Sequence, residues 1–505
     1  MYTGIIFGDS YYRNPRVAIS RSTGSHRIAT LMRQRDVTVE VVDFFNSWTD
    51  KELNEFISRF PKLDFIGFGL GLSPLKTKKV NNLIAKVKEL HPDIRIIAGG
   101  SNVLDNQYVG VDMFFKGFAE GAIEDILEYI KTGKFDPVLV ESIEANGLKN
   151  VVNCTHHYER FDLSRLNTEY TDRDFIQPNE TLPIEFSRGC IFKCKFCNFP
   201  LVGKKKNDYI RDKEDIKQEL IRNNKTWGIS RYILTDDTFN DNELKVDMLY
   251  EIANELDFKL SLVSFARVDL LRAHKGSLDK LVKAGFKGFF FGIESLNERT
   301  SKTINKGLTG ERLKEYLVKI KQDYPELHLT GGFIIGLPYE SLETFTKNIE
   351  WAVESEIFDA FNFFPLSITI DNKVTAMSPF SYEWQKHGYE IMPKEEIDKK
   401  LESATEEELQ LYKTIYDSSF NNIFLPWKNE HMDFLDTAIH VNHFLKKTYD
   451  VTTHPGFITI SRAFNKKSVD DTLHTKKKYI DEAKQEKDAE DFVKDYKFKK
   501  LNYTK

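Results

Sequence analysis

Three of the chain's four cysteines, Cys190, Cys194 and Cys197, fall within eight residues of "FSRGCIFKCKFCNFP" at the spacing C-x3-C-x2-C. Thiolates this close hold a metal or an iron–sulfur cluster, whereas a disulfide framework needs paired cysteines spread along a chain. A structural zinc site closes with four protein ligands, and the fourth would have to come from Cys154, His156 or His157 in "NCTHH". A cubane [4Fe-4S] cluster on three thiolates leaves one iron without a protein ligand, open to a small molecule. Spacing alone leaves both readings standing. Arg188, beside the loop, either raises the potential of a bound cluster or bridges to a local carboxylate.

A loop of ligands needs rigid elements to hold it. From "LPIEFSRGC" to about residue 370, the strand candidates "LPIEFS", "RYILTD", "LSLVSFA", "GFFFGIES", "LTGGFIIGL" and "AFNFFPL" each lead into a helical or loop segment. Six parallel βα units suit a partial (β/α)6 TIM barrel, whose chemistry sits at the strand carboxyl ends. The cysteines follow the first of these strands. Residues 1 to 140 alternate "TGIIFG", the helix "HRIATLMRQ", "VTVEVVDF", "DFIGFGLG", the helix "LKTKKVNNLIAKVKEL", "IRIIAGG", "VDMFFKG" and the helix "AEGAIEDILEYIKTG". That pattern predicts an α/β doubly wound, Rossmann or flavodoxin-like parallel sheet. Its strands end at Gly8, at Gly67, Gly69 and Gly71, at Gly99 and Gly100, and at Gly117, where such sheets bind ligands. Gly67, Gly69 and Gly71 do not form the G-x-G-x-x-G of a dinucleotide site. Residues 141 to 180 read as a connector, 181 to 375 as the barrel, and 376 to 505 as a mainly helical region of solvated faces or a cap on the barrel.

With 41% hydrophobic and 30% charged residues the chain reads as soluble and globular, and its formal charge of −5 argues against bulk polyanion binding. Local lysine runs, "GKKKNDYIR" after the cysteines and the lysine-rich tail, are the only material for a nucleic-acid face. No secretory leader and no apolar run long enough for a membrane span is found, so a cytoplasmic protein with thiols kept reduced is expected.

"SRGCIFKCKFC" resembles the cluster motif of radical S-adenosylmethionine enzymes, with an aromatic, Phe196, before the last cysteine. The blocks "ILTDDTFN", "SFARVDLL", "GFKGFFFGIESLNERTSKTINKG" and "GGFIIGLPYESLETFTKNIEWA" resemble, in order, the later strands of the subgroup containing methylthiotransferases, Elp3-type enzymes and cobalamin-domain radical enzymes. The resemblance covers about residues 182 to 370 and sets the zinc reading aside. It implies that Cys190, Cys194 and Cys197 hold three irons while S-adenosylmethionine chelates the fourth. One electron then cleaves the sulfonium and yields a 5′-deoxyadenosyl radical that acts on a substrate. Phe196 is implied near the adenine, with ordinary packing as its alternative. Thr235, Asp236 and Asp237 in "LTDDT" stand where relatives hold the methionine amine, although the motif is not the commoner Gly-Gly-Glu. Arg267 offers a fork to the methionine carboxylate, and Glu294 an acceptor for the ribose hydroxyls or the amine; either is equally read as a barrel salt bridge. Gly332 and Ile334 resemble a strand that lets the backbone approach adenine, with the expected following acid displaced to Glu340.

More loosely, residues 25 to 130 resemble the cobalamin-binding-type domain that precedes many radical enzymes. The D-x-H-x-x-G motif that would supply an axial nitrogen is absent, and His26 in "GSHR" reads as a capping or surface residue. Methylthiotransferases of the subgroup carry a second three-cysteine cluster, and residues 1 to 153 contain no cysteine. The resemblance therefore leaves single-cluster chemistry: cobalamin-dependent methyl transfer, which we favour, or a cobalamin-free radical oxidation, cyclisation or rearrangement. A small molecule or biosynthetic intermediate is the preferred substrate and RNA or DNA the less favoured one. A flavodoxin or ferredoxin is the implied electron donor. A non-catalytic iron–sulfur binding protein is least favoured, since nothing structural needs an open iron.

Overall fold

The computed structural model describes residues 2–9, 21–71, 75–100, 108–135, 150–154, 162–163, 166–178, 180–198, 208–370, 377–416, 424–448 and 482–503. His156, His157, Lys204, Lys205, Lys206 and, in the lysine-rich tail, Lys476, Lys477 and Lys478 lie outside them. The chain separates into two compact units: Met1–Pro183 with Val202–Arg231 and Ile480–Lys505, and Ile184–Leu201 with Tyr232–Tyr479. Among the described residues no helix is long and apolar enough to cross a membrane.

The first unit is built on six parallel strands, β1 (Thr3–Gly8), β2 (Thr38–Val42), β3 (Phe65–Gly69), β4 (Arg95–Gly100), β5 (Met113–Lys116) and β6 (Val151–Asn153), in the order β2-β1-β3-β4-β5-β6. The order reverses between β1 and β3, which makes their carboxyl ends the switch point of a doubly wound sheet. Gly8 and Gly69 pair across that point. A Cβ on either would lie 2.4 to 2.6 Å from the Ser25 hydroxyl, so glycine there lets the start of the helix Thr23–Arg33 come down onto the sheet. The apolar strand residues fill both faces, Ile5, Phe7, Ile66 and Phe68 on one and Ile6, Val39, Val41 and Ile97 on the other. The Cys154 side chain is fully buried among Phe115, Ile123 and Val152, and burial pushes its thiol well up.

Two elements of this unit depart from the sequence reading. Strand β6 lies inside the expected connector and extends the sheet beside β5. The helix Asp50–Ile57, which the alternation pattern passes over, starts with a reciprocal capping box between Thr49 and Glu52. The terminal helix Glu482–Asn502 belongs to this same unit. Val493 and Tyr496 enter its core and Lys500 reaches Glu40 at 2.8 Å, so a narrow apolar stripe in a highly charged helix suffices to dock it.

His26 is fully buried and so takes no surface role, nor does it cap its helix. Its Nε2 lies 2.8 Å from Asp43 Oδ2, and Arg21 Nη1 donates to the same oxygen at 3.0 Å while its Nε donates to Glu180 at 2.6 Å. Burial works to raise the Asp43 carboxyl, but its pairing with His26 and Arg21 outweighs that and holds it well below the usual carboxylate range.

A second sheet holds strands β7 (Thr181–Ile184), β8 (Arg231–Leu234), β9 (Ser261–Ala266), β10 (Phe286–Glu294), β11 (His328–Ile335) and β12 (Ala360–Pro365), each hydrogen-bonded to its neighbour in chain order, with β9 to β12 wholly in the second unit. β9 to β12 pair in parallel. Sequential parallel strands with helices between them give the open six-unit barrel expected, and all six strands arise from the apolar runs that predicted them. Ile233, Val263 and Phe290 form a small apolar cluster of their own with Phe265 and Phe364.

Candidate active site

The cysteine loop leaves β7 with Glu185, Phe186 and Ser187, and Gly189 turns it at φ +84°, a conformation that favours glycine. Cys190 and Cys194 are buried and Cys197 is half-buried. Burial pushes the Cys190 thiol up, opposed by the Phe192 N–H and the neighbouring Thr238 side chain. The Cys197 N–H closes a tight turn on the Cys194 carbonyl at 3.1 Å.

A buried charge cluster fixes the loop from beneath. Asp236, at the end of β8, accepts from the Phe186 N–H at 2.9 Å and the Ser187 hydroxyl at 2.6 Å. Lys245 on the helix Glu243–Glu255 donates to Ser187 at 2.7 Å and lies 2.7 Å from Asp241 and 3.3 Å from Asp236. Asp241 in turn accepts from the Ile191 N–H at 3.2 Å. Asp236, expected among the acceptors of a methionine amine, is thus committed to the loop backbone and Lys245. Thr235 is exposed at the same strand end, its N–H and hydroxyl both on the Ile184 carbonyl at 2.9 and 3.3 Å. Asp237 is half-buried beside the loop; burial first, then Asp236 and Glu185, push its carboxyl up to about 7, against a hydrogen bond from the Gly189 N–H. Arg188 forms a two-pronged bridge to Glu185 at 2.9 and 3.0 Å, the local-carboxylate alternative.

Arg267, just past β9, is brought to the cysteines. Its Nη1 donates to Cys194 Sγ at 3.2 Å and its guanidinium lies 4.2 Å from the Phe192 ring centroid. Nε and Nη2 donate to the two oxygens of Asp269 at 3.0 and 2.7 Å. The side chain of Asn240 bonds both backbone groups of Arg267, at 2.8 and 2.9 Å. The bidentate edge expected for a methionine carboxylate is therefore occupied by Asp269.

The far side of the loop meets the end of β10. Glu294 has φ +64° and its Oε1 lies 3.2 Å from Lys306 Nζ. Lys306 also donates to the Gly292 carbonyl at 2.9 Å and stands 5.6 Å from the Phe196 ring centroid. This gathers Glu294, Lys306 and Phe196, the last half-buried. The Asn305 side chain donates to the Lys193 carbonyl at 3.1 Å. Gly332 lies in β11, where a Cβ would stand 2.5 Å from the Phe290 ring, and Ile334 is buried two residues on. Both belong to the sheet that carries the loop. Residues beyond the barrel also grip the loop: Lys195 donates to Glu383 at 3.2 Å, lies 3.2 Å from His387 Nε2, and accepts at its carbonyl from the Phe380 N–H at 2.9 Å.

Asn240, Asp241, Lys245, Asp269, Lys306 and Glu383 were not anticipated from sequence. The i,i+4 pair Asp241 and Lys245 was the only local signal among them, and it reads equally as a solvated helix start.

Among the described residues no three His, Cys, Asp or Glu side chains converge as a single ion requires. A cubane asks for something else, since each thiolate holds a separate iron. Three thiols on one loop, with Arg267 Nη1 donating to Cys194 and the Phe192 N–H at Cys190, fit such a cluster in donor type and number.

Residues 184–352 match the family model described as the radical SAM superfamily. An uncharacterised methyltransferase of Pyrococcus horikoshii is 32% identical over 357 residues, covering 65% of this chain and 72% of the relative. The bacteriochlorophyllide d C-8(2)-methyltransferase of Chlorobaculum tepidum is 25% identical over 37% of this chain and 42% of that enzyme. In fold, the chain is similar to the radical S-adenosylmethionine methyltransferase TsrM of Kitasatospora setae, solved with cobalamin and a [4Fe-4S] cluster, at TM-score 0.63, 14% identity and coverage of 98% and 100%. It is also similar to the cobalamin-dependent radical enzyme OxsB, at TM-score 0.55, 13% identity and coverage of 99% and 72%. With its cysteine loop at the carboxyl end of the first barrel strand and this set of relatives, the chain belongs to the radical SAM superfamily, enzymes that run on a [4Fe-4S] cluster and S-adenosylmethionine.

Proposed function

We propose that this enzyme is a cobalamin-dependent radical SAM methyltransferase acting on a small molecule or biosynthetic intermediate. The observation that carries the reading is the presence in one chain of a single three-cysteine loop and a doubly wound sheet of order β2-β1-β3-β4-β5-β6, whose switch point is where sheets of this kind bind ligands. Two relatives named as methyltransferases, and a fold shared with structures holding cobalamin, support it. Residues 1 to 153 contain no cysteine, which separates the chain from methylthiotransferases that carry a second cluster.

The cluster and S-adenosylmethionine, when bound, supply reductive cleavage of the sulfonium to a 5′-deoxyadenosyl radical, and cobalamin would carry the methyl group. Cys190, Cys194 and Cys197 would hold the iron. Glu294 and Asp237 are the carboxylates at the loop that suit the cofactor's hydroxyl and amine groups, with Thr235 exposed at the strand end and Phe196, Gly332 and Ile334 offering ring, backbone and apolar contact. In the first unit the Ser22 and Ser25 hydroxyls and the Asp9–Asn46 pair line the carboxyl ends of β1 and β3, a polar rim that suits cobalamin. His26 is committed to Asp43, so this site would take cobalamin without His26 as an axial ligand. Cysteines outside any disulfide suit a reducing cytoplasm, and a flavodoxin or ferredoxin would supply the electron.

The test is an anaerobic titration of the reconstituted protein with cobalamin, followed by S-adenosylmethionine and dithionite with candidate small-molecule acceptors. Cobalamin binding and formation of S-adenosylhomocysteine are expected. Absence of cobalamin binding together with substrate-dependent 5′-deoxyadenosine alone would favour a cobalamin-free oxidation, cyclisation or rearrangement.

A further inference from the structure

We propose that Arg267 sets the reduction potential of the cluster by donating a hydrogen bond from Nη1 to the Cys194 sulfur. The inference rests on Cys190, Cys194 and Cys197 holding a [4Fe-4S] cluster. Four contacts leave the guanidinium little freedom. Asn240 pins the Arg267 backbone through both its N–H and its carbonyl. Asp269 takes the Nε–Nη2 edge with both oxygens. The Phe192 ring covers a face at 4.2 Å, and the remaining nitrogen lies 3.2 Å from Cys194 Sγ. Asp269 is itself held by the Gly307 N–H at 3.3 Å, and a Cβ on Gly307 would stand 2.6 Å from its Oδ2. The arginine is buried, so water does not screen the contact strongly.

An N–H donor and a positive charge at a ligand sulfur both stabilise the more negative, reduced form of a cluster over the oxidised one. Arg267 therefore makes the cluster easier to reduce, a role distinct from gripping the methionine carboxylate with a fork that Asp269 already occupies. Lysine keeps the charge but cannot bond Asp269 with two parallel donors while reaching the sulfur. It should restore the effect only in part.

The experiment is a redox titration of the reconstituted cluster, followed by electron paramagnetic resonance, in the wild-type protein, R267Q and R267K without S-adenosylmethionine, with iron content measured on each sample. A lower midpoint potential in R267Q is expected, by at least about tenfold in the reduction equilibrium, about 59 mV for one electron, with R267K between it and the wild type. An R267Q cluster with full iron and an unchanged potential would overturn the inference, and weaker S-adenosylmethionine binding in that sample would return Arg267 to the carboxylate role. Loss of the cluster from both variants while the apo protein stays folded would make Arg267 a cluster-retention residue and also count against tuning. Failure of the wild-type protein to form a cluster would instead sink the cluster reading on which the inference stands.

Discussion

Lys245 and Asp241 form an ion pair at 2.7 Å with both side chains fully removed from solvent, directly beneath the cysteine loop. Lys245 also reaches Asp236 and Ser187, so one ammonium ties the loop's entry to its support. Removing that charge leaves two buried carboxylates facing each other. K245M should cost about 3–5 kcal/mol of stability and lower the iron bound after reconstitution. Chemical denaturation of the apo protein and iron analysis check the two effects separately.

Glu340 follows β11 and is 4% exposed, with neither carboxylate oxygen in hydrogen-bonding geometry among the described residues, and burial pushes its carboxyl up to about 7 against the weaker pull of the nearby Ser295 and Asn348 side chains. A folded-state value above the unfolded one means that the folded protein binds the proton more tightly. Stability is therefore complete at low pH and falls as pH rises from the ordinary glutamate value toward 7. E340Q, which cannot ionise, should be less sensitive over that window and more stable than wild type at pH 8.5, by up to about 3 kcal/mol. Denaturant midpoints at pH 5.5 and 8.5 test it; equal pH dependence in the two proteins would contradict it.

Asp43 has the opposite sign. Its carboxyl is held low by His26 and Arg21, so its contribution is present above the ordinary carboxylate value, about 3.9, and is lost as pH falls further. D43A should lower stability at pH 7 by about 3–5 kcal/mol, because Arg21 and His26 are left buried without it. The gap between variant and wild type should begin to close only below about pH 4, read from thermal unfolding across that range.

Cys154 packs with Phe115 and Ile123 in the first unit. C154A should retain full iron after reconstitution and cost about 1 kcal/mol of stability. Loss of iron in that variant would revive the reading in which Cys154 completes a metal site.

The strands of both sheets were legible because each is a short apolar run ended by glycine or polar residues, and such runs have few other uses in a chain of this composition. Strand β6 was not, since "VVN" is three residues long inside a polar stretch and owes its state to the neighbouring β5. The cysteine triad carried its chemistry in its spacing. Its supports did not: Asp236 and Arg267 were visible as site residues, but the Ser187 and Cys194 atoms that claim them lie 49 and 73 residues away, a pairing made only by strand order. His26 was misread for the same reason. A histidine in the first turn of an amphipathic helix reads as surface until Asp43, at the end of another strand, is placed against it.

The most direct measurement is anaerobic reconstitution with iron and sulfide, followed by S-adenosylmethionine and dithionite, in the wild-type chain and in one with Cys190, Cys194 and Cys197 all changed to alanine. A [4Fe-4S] spectrum and 5′-deoxyadenosine from the first, with neither from the second, is the predicted result. A wild-type protein that takes up iron without releasing 5′-deoxyadenosine, or a triple variant that still releases it, would contradict the assignment of this loop.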